Sequence, residues 1–107
     1  MYDQFLDGFV SDLRAHNVKP VFVLFAGYDG RTKRYDDQGP FQVEFGRYAE
    51  KNSIPLFRAR EALAVGEPQD SDLHQYFIDH AHLSEQGTEK VASALAQFLP
   101  KVVEVRQ

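Results

Sequence analysis

A carboxylate and an imidazole lie three positions apart in the segment 76–87, as Asp79 and His82. A carboxylate that accepts a hydrogen bond from one ring N–H fixes the imidazole tautomer and stabilises the imidazolium form. The other ring nitrogen is then free to remove a proton from a hydroxyl group. The pair is therefore predicted to be the base half of a Ser-His-Asp catalytic system, which needs a serine close in space.

The pair precedes a well-marked helix. Apolar residues recur with the helical period over 91–99, and Ser84 is a favoured N-cap before them. His82 is thus expected on a loop beside a rigid helix start, where catalytic side chains are often presented. The structural alternative is that Asp79 is a turn or capping residue and His82 a surface histidine.

The pattern around the pair carries a family resemblance. Asp79-x-x-His82-Leu83-Ser84-x-x-Gly87, followed by an amphipathic helix, resembles the last block of the SGNH (GDSL-type) esterase and lipase superfamily. The resemblance implies that Asp79 is the catalytic acid and His82 the base. It also implies a carboxyl ester as substrate: a short acyl ester, an acetylated sugar or a lipid. It covers nearly the whole chain, but only the C-terminal half of a family domain.

Other parts of the family pattern are missing from the sequence. The G-D-S block with the nucleophilic serine, the G-x-N-D block and a G-x-S-x-G elbow do not occur. The resemblance therefore implies a hydrolase fragment, or one chain of a split esterase completed by a partner that carries the serine block. The alternative is a non-catalytic binding or assembly module on the same scaffold. Whether Met1 is the natural start stays open.

Two serines within the chain are candidate replacements for the nucleophile. Ser84 lies near His82, but its position at a helix start favours capping. Ser71 belongs to a predicted loop over 66–71 and has more freedom to approach His82.

A metal site is a further alternative, built from the histidines and acids of this region: His74, His80, His82, Asp72 and Asp79. Only the i, i+2 histidines have a zinc-like spacing, so we expect no metal and no cofactor.

Composition limits the other function classes. The chain has 107 residues, 43% of them hydrophobic and 13% aromatic, which predicts one domain over 1–107 with a buried core. A net charge of −4 and a pI near 5.5 argue against nucleic acid as partner. Without cysteine there is no disulfide or thiolate site. No apolar run approaches the ~20 residues of a membrane span. The compartment stays open.

The elements that must position the pair follow from the hydrophobic pattern. An apolar stripe predicts a first helix over 1–17, with Asn17 as a left-handed C-terminal residue. The continuous apolar run 21–26 predicts a strand buried on both faces of a parallel sheet. Residues 27–39 are predicted to form a loop, which either borders the binding crevice or is a mobile surface loop without a function.

The second half of the chain continues the alternation of helices and strands. Pro40 is expected to open a second helix, whose buried stripe comprises Phe41, Phe45, Tyr48 and Ala49. A short edge strand is predicted over 54–57, a helical turn over 58–63 and a short strand over 101–107.

The order α-β-α-β-α predicts a partial three-layer α/β/α (flavodoxin-like) sandwich with a small parallel sheet. In so small a sheet the apolar strand 20–26 has an uncovered edge. We therefore expect a homodimer formed through that strand.

Overall fold

The structure, a computed structural model, describes residues 2–69 and 71–102. Its elements in chain order are α1 (Tyr2–Ala15), β1 (Phe22–Leu24), β2 (Gly27–Asp29), β3 (Arg34–Asp36), α2 (Pro40–Lys51), β4 (Leu56–Arg58), α3 (Ala59–Ala64), a 3-10 helix (His74–Tyr76) and α4 (Glu85–Val102). The chain is a mixed α/β protein with a small parallel sheet, as the sequence predicted.

The parallel sheet consists of β1 and β4, with Phe22 opposite Leu56 and Leu24 opposite Arg58. The helix α2 connects the two strands, because parallel neighbours need a crossover connection. Each strand pairs with one other strand among the described residues, which confirms the edge position predicted for the 54–57 strand. That strand begins only at Leu56, since Pro55 has no amide to donate.

Helices cover both faces of this sheet. Successive side chains of a strand point to opposite faces, and Phe22 and Val23 accordingly pack in different clusters. The first cluster joins α1 and α2 to the sheet and contains Leu6, Val10, Phe22, Tyr48, Ala49 and Ile54. The second joins α3, the 3-10 helix and α4 to it and contains Phe57, Ala59, Leu63, Leu73, Tyr76 and Val91.

Residues 27–39 are not a plain loop. They contain the antiparallel hairpin β2–β3, in which Tyr28 lies opposite Tyr35. The Asp29 carboxylate accepts a hydrogen bond from the Arg31 amide, and Lys33 adopts a φ of 59° at the turn. Each strand has three residues, too few for alternation to stand out in the sequence. The hairpin adds two strands to the predicted order α-β-α-β-α.

The apolar stripes of the helices are buried only in part. In α1, Leu6 and Val10 are buried, whereas Phe5 and Phe9 are 72% and 52% exposed. In α2, the prediction that Phe41 is buried is wrong, because this residue is 74% exposed. A two-stranded sheet offers too little apolar surface to cover a full stripe on each helix.

The strand β1 is shorter than the predicted run 21–26. It comprises only Phe22–Leu24, and Phe25, which follows it, is 53% exposed and not buried as predicted for the run. At the other end of the chain, Lys101 and Val102 belong to α4, so the predicted 101–107 strand is wrong at its start. Its remaining residues lie outside the described part of the chain.

Within residues 2–69 and 71–102, none of the helices combines the length and apolar character that a membrane crossing requires.

Candidate active site

The candidate residues lie on a closed loop, residues 78–83, between the 3-10 helix and α4. The amide of Ile78 donates to the carbonyl of His82 at 2.9 Å, and the amide of Ser84 donates to the carbonyl of Tyr76 at 2.8 Å. These two hydrogen bonds close the base of the loop. The predicted location, a connection directly before the last helix, is therefore confirmed.

The carboxylate of Asp79 organises the inside of this loop. Its Oδ1 accepts hydrogen bonds from the amides of Ala81 and His82, both at 2.8 Å. The imidazole Nδ1 of His82 lies 2.8 Å from Oδ2 and 3.0 Å from Oδ1. Asp79 is thus a turn residue and also the hydrogen-bond partner of His82, so the two interpretations of the sequence are compatible in one geometry.

The charge of Asp79 determines the tautomer of His82. Hydrogen bonds from the Ala81 amide and from the His82 side chain lower the pKa of the Asp79 carboxyl to about 2. At neutral pH the carboxylate is ionised and has no proton to donate, so Nδ1 of His82 must carry the hydrogen. Its Nε2 is then the basic nitrogen, and no group among the described residues is hydrogen-bonded to it.

Both side chains of the pair are accessible to solvent. The side chain of His82 is 73% exposed and that of Asp79 is 54% exposed. An exposed contact between polar side chains adds little to stability, because water competes for it and both side chains lose freedom. The orientation of His82 therefore depends mainly on the backbone hydrogen bonds that fix Asp79.

The candidate serines are engaged elsewhere. Ser84 Oγ donates to the carbonyl of Gln75 at 3.0 Å and accepts from the amide of Gly87 at 3.1 Å. The predicted N-cap of α4 is therefore confirmed. Ser71 Oγ accepts a hydrogen bond from the amide of Leu73 at 3.2 Å. Within the described ranges, the structure brings no serine hydroxyl into hydrogen-bond contact with His82.

The metal alternative has no geometric support in the described part of the chain. No set of three or more histidine, cysteine or acidic side chains there lies close enough to bind one ion. His80 instead stacks on the ring of Tyr28, with centroids 4.5 Å apart. His74 packs edge-on against the ring of Tyr35 at 5.5 Å.

Sequence reasoning did not find the contribution of the hairpin. The hydroxyl of Tyr35 donates to the carbonyl of Asp79 at 2.8 Å, and the amide of Tyr28 donates to the carbonyl of His80 at 3.0 Å. The only signal in the sequence was the Asp29-Gly30 turn between two tyrosines. Because the hairpin follows β1, the site loop lies near the carboxyl end of the parallel sheet, where α/β proteins commonly bind ligands.

Comparisons with known proteins give no further guidance. No protein-family model, no curated protein and no solved structure matches the chain. Inference about function therefore depends on the geometry of the Asp79–His82 loop and on the sequence pattern around it.

Proposed function

We propose that this chain supplies the Asp-His part of the catalytic triad of an SGNH-type carboxyl-ester hydrolase. The observation that carries the proposal is the 2.8 Å contact between His82 Nδ1 and Asp79 Oδ2, which leaves Nε2 available as a base. The serine comes from another chain or from a segment beyond this sequence. The accessibility of His82 is consistent with such an incoming group, because its side chain is 73% exposed.

The reaction follows from the roles of the three groups. His82 Nε2 takes the proton of the serine hydroxyl while the serine oxygen attacks the ester carbonyl carbon. The ester C–O bond then breaks, the leaving alcohol receives that proton, and an acyl-enzyme remains. A water molecule deprotonated by His82 then attacks the acyl carbon, the bond between this carbon and the serine oxygen breaks, and the serine oxygen recovers the proton from His82 as the acid is released. Asp79 stays ionised throughout and stabilises the imidazolium.

The substrate class is a carboxyl ester, such as a short acyl ester, an acetylated sugar or a lipid. The donors that stabilise the oxyanion must also come from outside this sequence, and each is worth a factor of roughly 10² or more in rate. The isolated chain is therefore expected to show little turnover. What it should retain is a His82 side chain that is unusually reactive for an exposed imidazole.

The experiment is the cleavage of p-nitrophenyl acetate by the isolated chain, in which an imidazole attacks the activated ester directly. His82→Ala and Asp79→Ala are both expected to lower the release of p-nitrophenolate. His16→Ala is the matched control, since it removes another exposed imidazole, directly after α1 and outside the site loop. Equal losses for His16→Ala and His82→Ala would mean that His82 is an ordinary surface histidine, and the proposal would fail.

A non-catalytic assembly module is the second candidate, favoured by the unpaired edge of β1. The amide of Phe22 donates to the carbonyl of Pro55, towards β4. Amides of a strand alternate between its two edges, so the Val23 amide faces the other edge, which pairs with no strand among the described residues. The proposed occupant is the same edge of a second copy, related by a two-fold axis. In this candidate, His82→Ala leaves every measured property unchanged.

A further inference from the structure

We infer that the β2–β3 hairpin is the positioning element of the Asp79–His82 pair and that Tyr35 is its positioning residue. The catalytic meaning of this inference rests on the proposed function. The contacts that carry it belong to the fold and are measurable without any substrate. Tyr35 does not touch the reacting atoms and acts through Asp79.

The first contact is a hydrogen bond from the buried hydroxyl of Tyr35 to the backbone of Asp79, the residue that orients the imidazole. Tyr35 is 4% exposed, and its hydroxyl donates to the carbonyl of Asp79 at 2.8 Å. The Asp79 carboxylate in turn accepts hydrogen bonds from the loop amides and from His82 Nδ1. Because this hydrogen bond fixes the backbone of Asp79, it also fixes the position from which the Asp79 side chain reaches the imidazole of His82.

A second contact comes from the residue that lies opposite Tyr35 in the hairpin. The amide of Tyr28 donates to the carbonyl of His80 at 3.0 Å, and its ring stacks on the His80 imidazole. Two paired residues of the hairpin thus bind two consecutive carbonyls of the site loop. A pair of adjacent attachments prevents the loop from rotating about either one.

The ring of Tyr35 is itself held in place by its neighbours. It stacks on Phe77 with centroids 3.7 Å apart and an interplanar angle of 8°, and it packs edge-on against Tyr28 and His74. Burial raises the pKa of the Tyr35 hydroxyl, so this group remains a donor throughout the neutral range. The hydroxyl that binds the loop is therefore both oriented and protonated.

This arrangement explains how a solvent-exposed pair keeps its geometry. Side chains exposed by 54% and 73% are not confined by packing, and water competes for their polar atoms. The hairpin fixes the loop backbone from the protein side instead. The pair thereby stays open to an incoming group while its orientation remains defined.

The test is the titration of the Asp79 carboxyl by 13C NMR in the whole chain. In the wild type, hydrogen bonds to the carboxylate lower the Asp79 pKa to about 2. We expect Tyr35→Phe, which removes only the hydroxyl, to raise this pKa towards the ordinary 3.8. An unchanged Asp79 pKa in folded Tyr35→Phe would overturn the inference. The titratable groups that face Tyr28 and Tyr35 are His74, His80, Asp72 and Asp79. Asp79 is also in contact with His82.

Tyr48→Phe is the matched control. Its hydroxyl is also buried and donates to Asp7 Oδ1 at 2.6 Å, but in the contact between α1 and α2. The Asp79 pKa should remain at about 2 in this variant. A rise as large as that in Tyr35→Phe would mean that any loss of stability loosens the loop, and this too would overturn the inference.

A second variant keeps the inference testable if Tyr35→Phe does not fold. Phe77→Leu retains the hydroxyl and removes the ring on which Tyr35 stacks, so a smaller rise of the Asp79 pKa is expected. No rise would contradict the positioning role. Failure of the proposed function is recognised separately, as the absence of His82-dependent ester cleavage in the wild type. The titration of Asp79 does not depend on that cleavage.

Discussion

Asp79 accepts hydrogen bonds from two backbone amides and from the imidazole of His82, so one carboxylate both closes a turn and orients a ring. In an exposed loop the two tasks depend on each other. The amides restrict the rotation of the carboxylate, and a restricted carboxylate presents Oδ2 to Nδ1. This coupling is the reason that a short loop is able to hold a defined imidazole tautomer without burial.

The lowered pKa of Asp79 predicts a pH dependence of stability. The carboxyl titrates at about 2 in the folded chain and at about 3.8 when unperturbed. A depressed carboxyl pKa contributes stability above about pH 4, and this contribution is lost as the pH falls through about 2. In urea unfolding followed by circular dichroism, the stability difference between wild type and Asp79→Asn should shrink over this range. A difference that does not vary with pH would contradict the assignment.

The close packing of the backbone at Gly87 leads to a second prediction, on the stability of a single-residue variant. A Cβ atom at this position would overlap the carbonyl of Tyr76, whereas a Cβ at Gly8 in α1 would meet no atom within 4 Å. Gly87→Ala should therefore destabilise the chain by about 1–3 kcal/mol. Gly8→Ala should stabilise it by about 0.5–1 kcal/mol, because alanine favours the helix. Denaturant unfolding measures both, and a Gly87→Ala variant as stable as the wild type would refute the close approach at Gly87.

The scale of secondary structure shows what sequence patterns can and cannot predict. The helix α2 begins at Pro40 as expected, Asn17 has the predicted left-handed φ of 61°, and α4 begins after its Ser84 cap. Periodicity and caps are local properties, so the sequence carries them. The loop containing Asp79 and His82 was predicted for the same reason.

The hairpin was not predictable in this way. Its strands are three residues long, and its position against the site loop arises from tertiary contacts such as the one between Tyr35 and Asp79. The exposure of Phe5 and Phe9 had a similar cause. A helical stripe shows which side chains lie on one face, but the size of the facing sheet decides how many of them are buried.

Lys90 of α4 hydrogen-bonds the end of α3, so we expect its replacement to weaken the contact between these two helices. Its Nζ donates to the carbonyls of Leu63 and Val65 at 2.7 Å each and to the hydroxyl of Tyr76 at 3.0 Å. Lys90→Met removes these donors from the C-terminal carbonyls of α3 and should cost about 1–3 kcal/mol in the free energy of unfolding. Lys101→Met, an exposed position of the same helix, should change it by less than about 0.5 kcal/mol. Similar losses for both variants would contradict the capping role.

At the scale of the whole molecule, the main feature is a two-stranded parallel sheet with helices on both faces. Such a sheet has two edges and only one internal ladder. Exposed strand edges are sites of pairing with other chains. The 53% exposed Phe25 directly follows the end of β1 and therefore adds exposed apolar surface next to this strand.

We expect the chain to self-associate through the edge of β1 that faces away from β4. In analytical ultracentrifugation the wild type should show a concentration-dependent monomer–dimer equilibrium, and Phe25→Lys should shift it towards monomer by placing a charge beside the edge. Val18→Lys is a control of similar exposure, 47%, in the connection between α1 and β1. A wild-type monomer at every concentration would rule out the proposed pairing through β1.

Asp79 holds the imidazole of His82 with its proton on Nδ1, which leaves Nε2 as the basic nitrogen. Long-range 1H–15N NMR of the neutral imidazole measures this directly, because the two ring nitrogens have different shifts when protonated and unprotonated. We expect the Nδ1–H tautomer in the wild type and a loss of that preference in Asp79→Ala. An Nε2–H tautomer in the wild type, unchanged in Asp79→Ala, would contradict it.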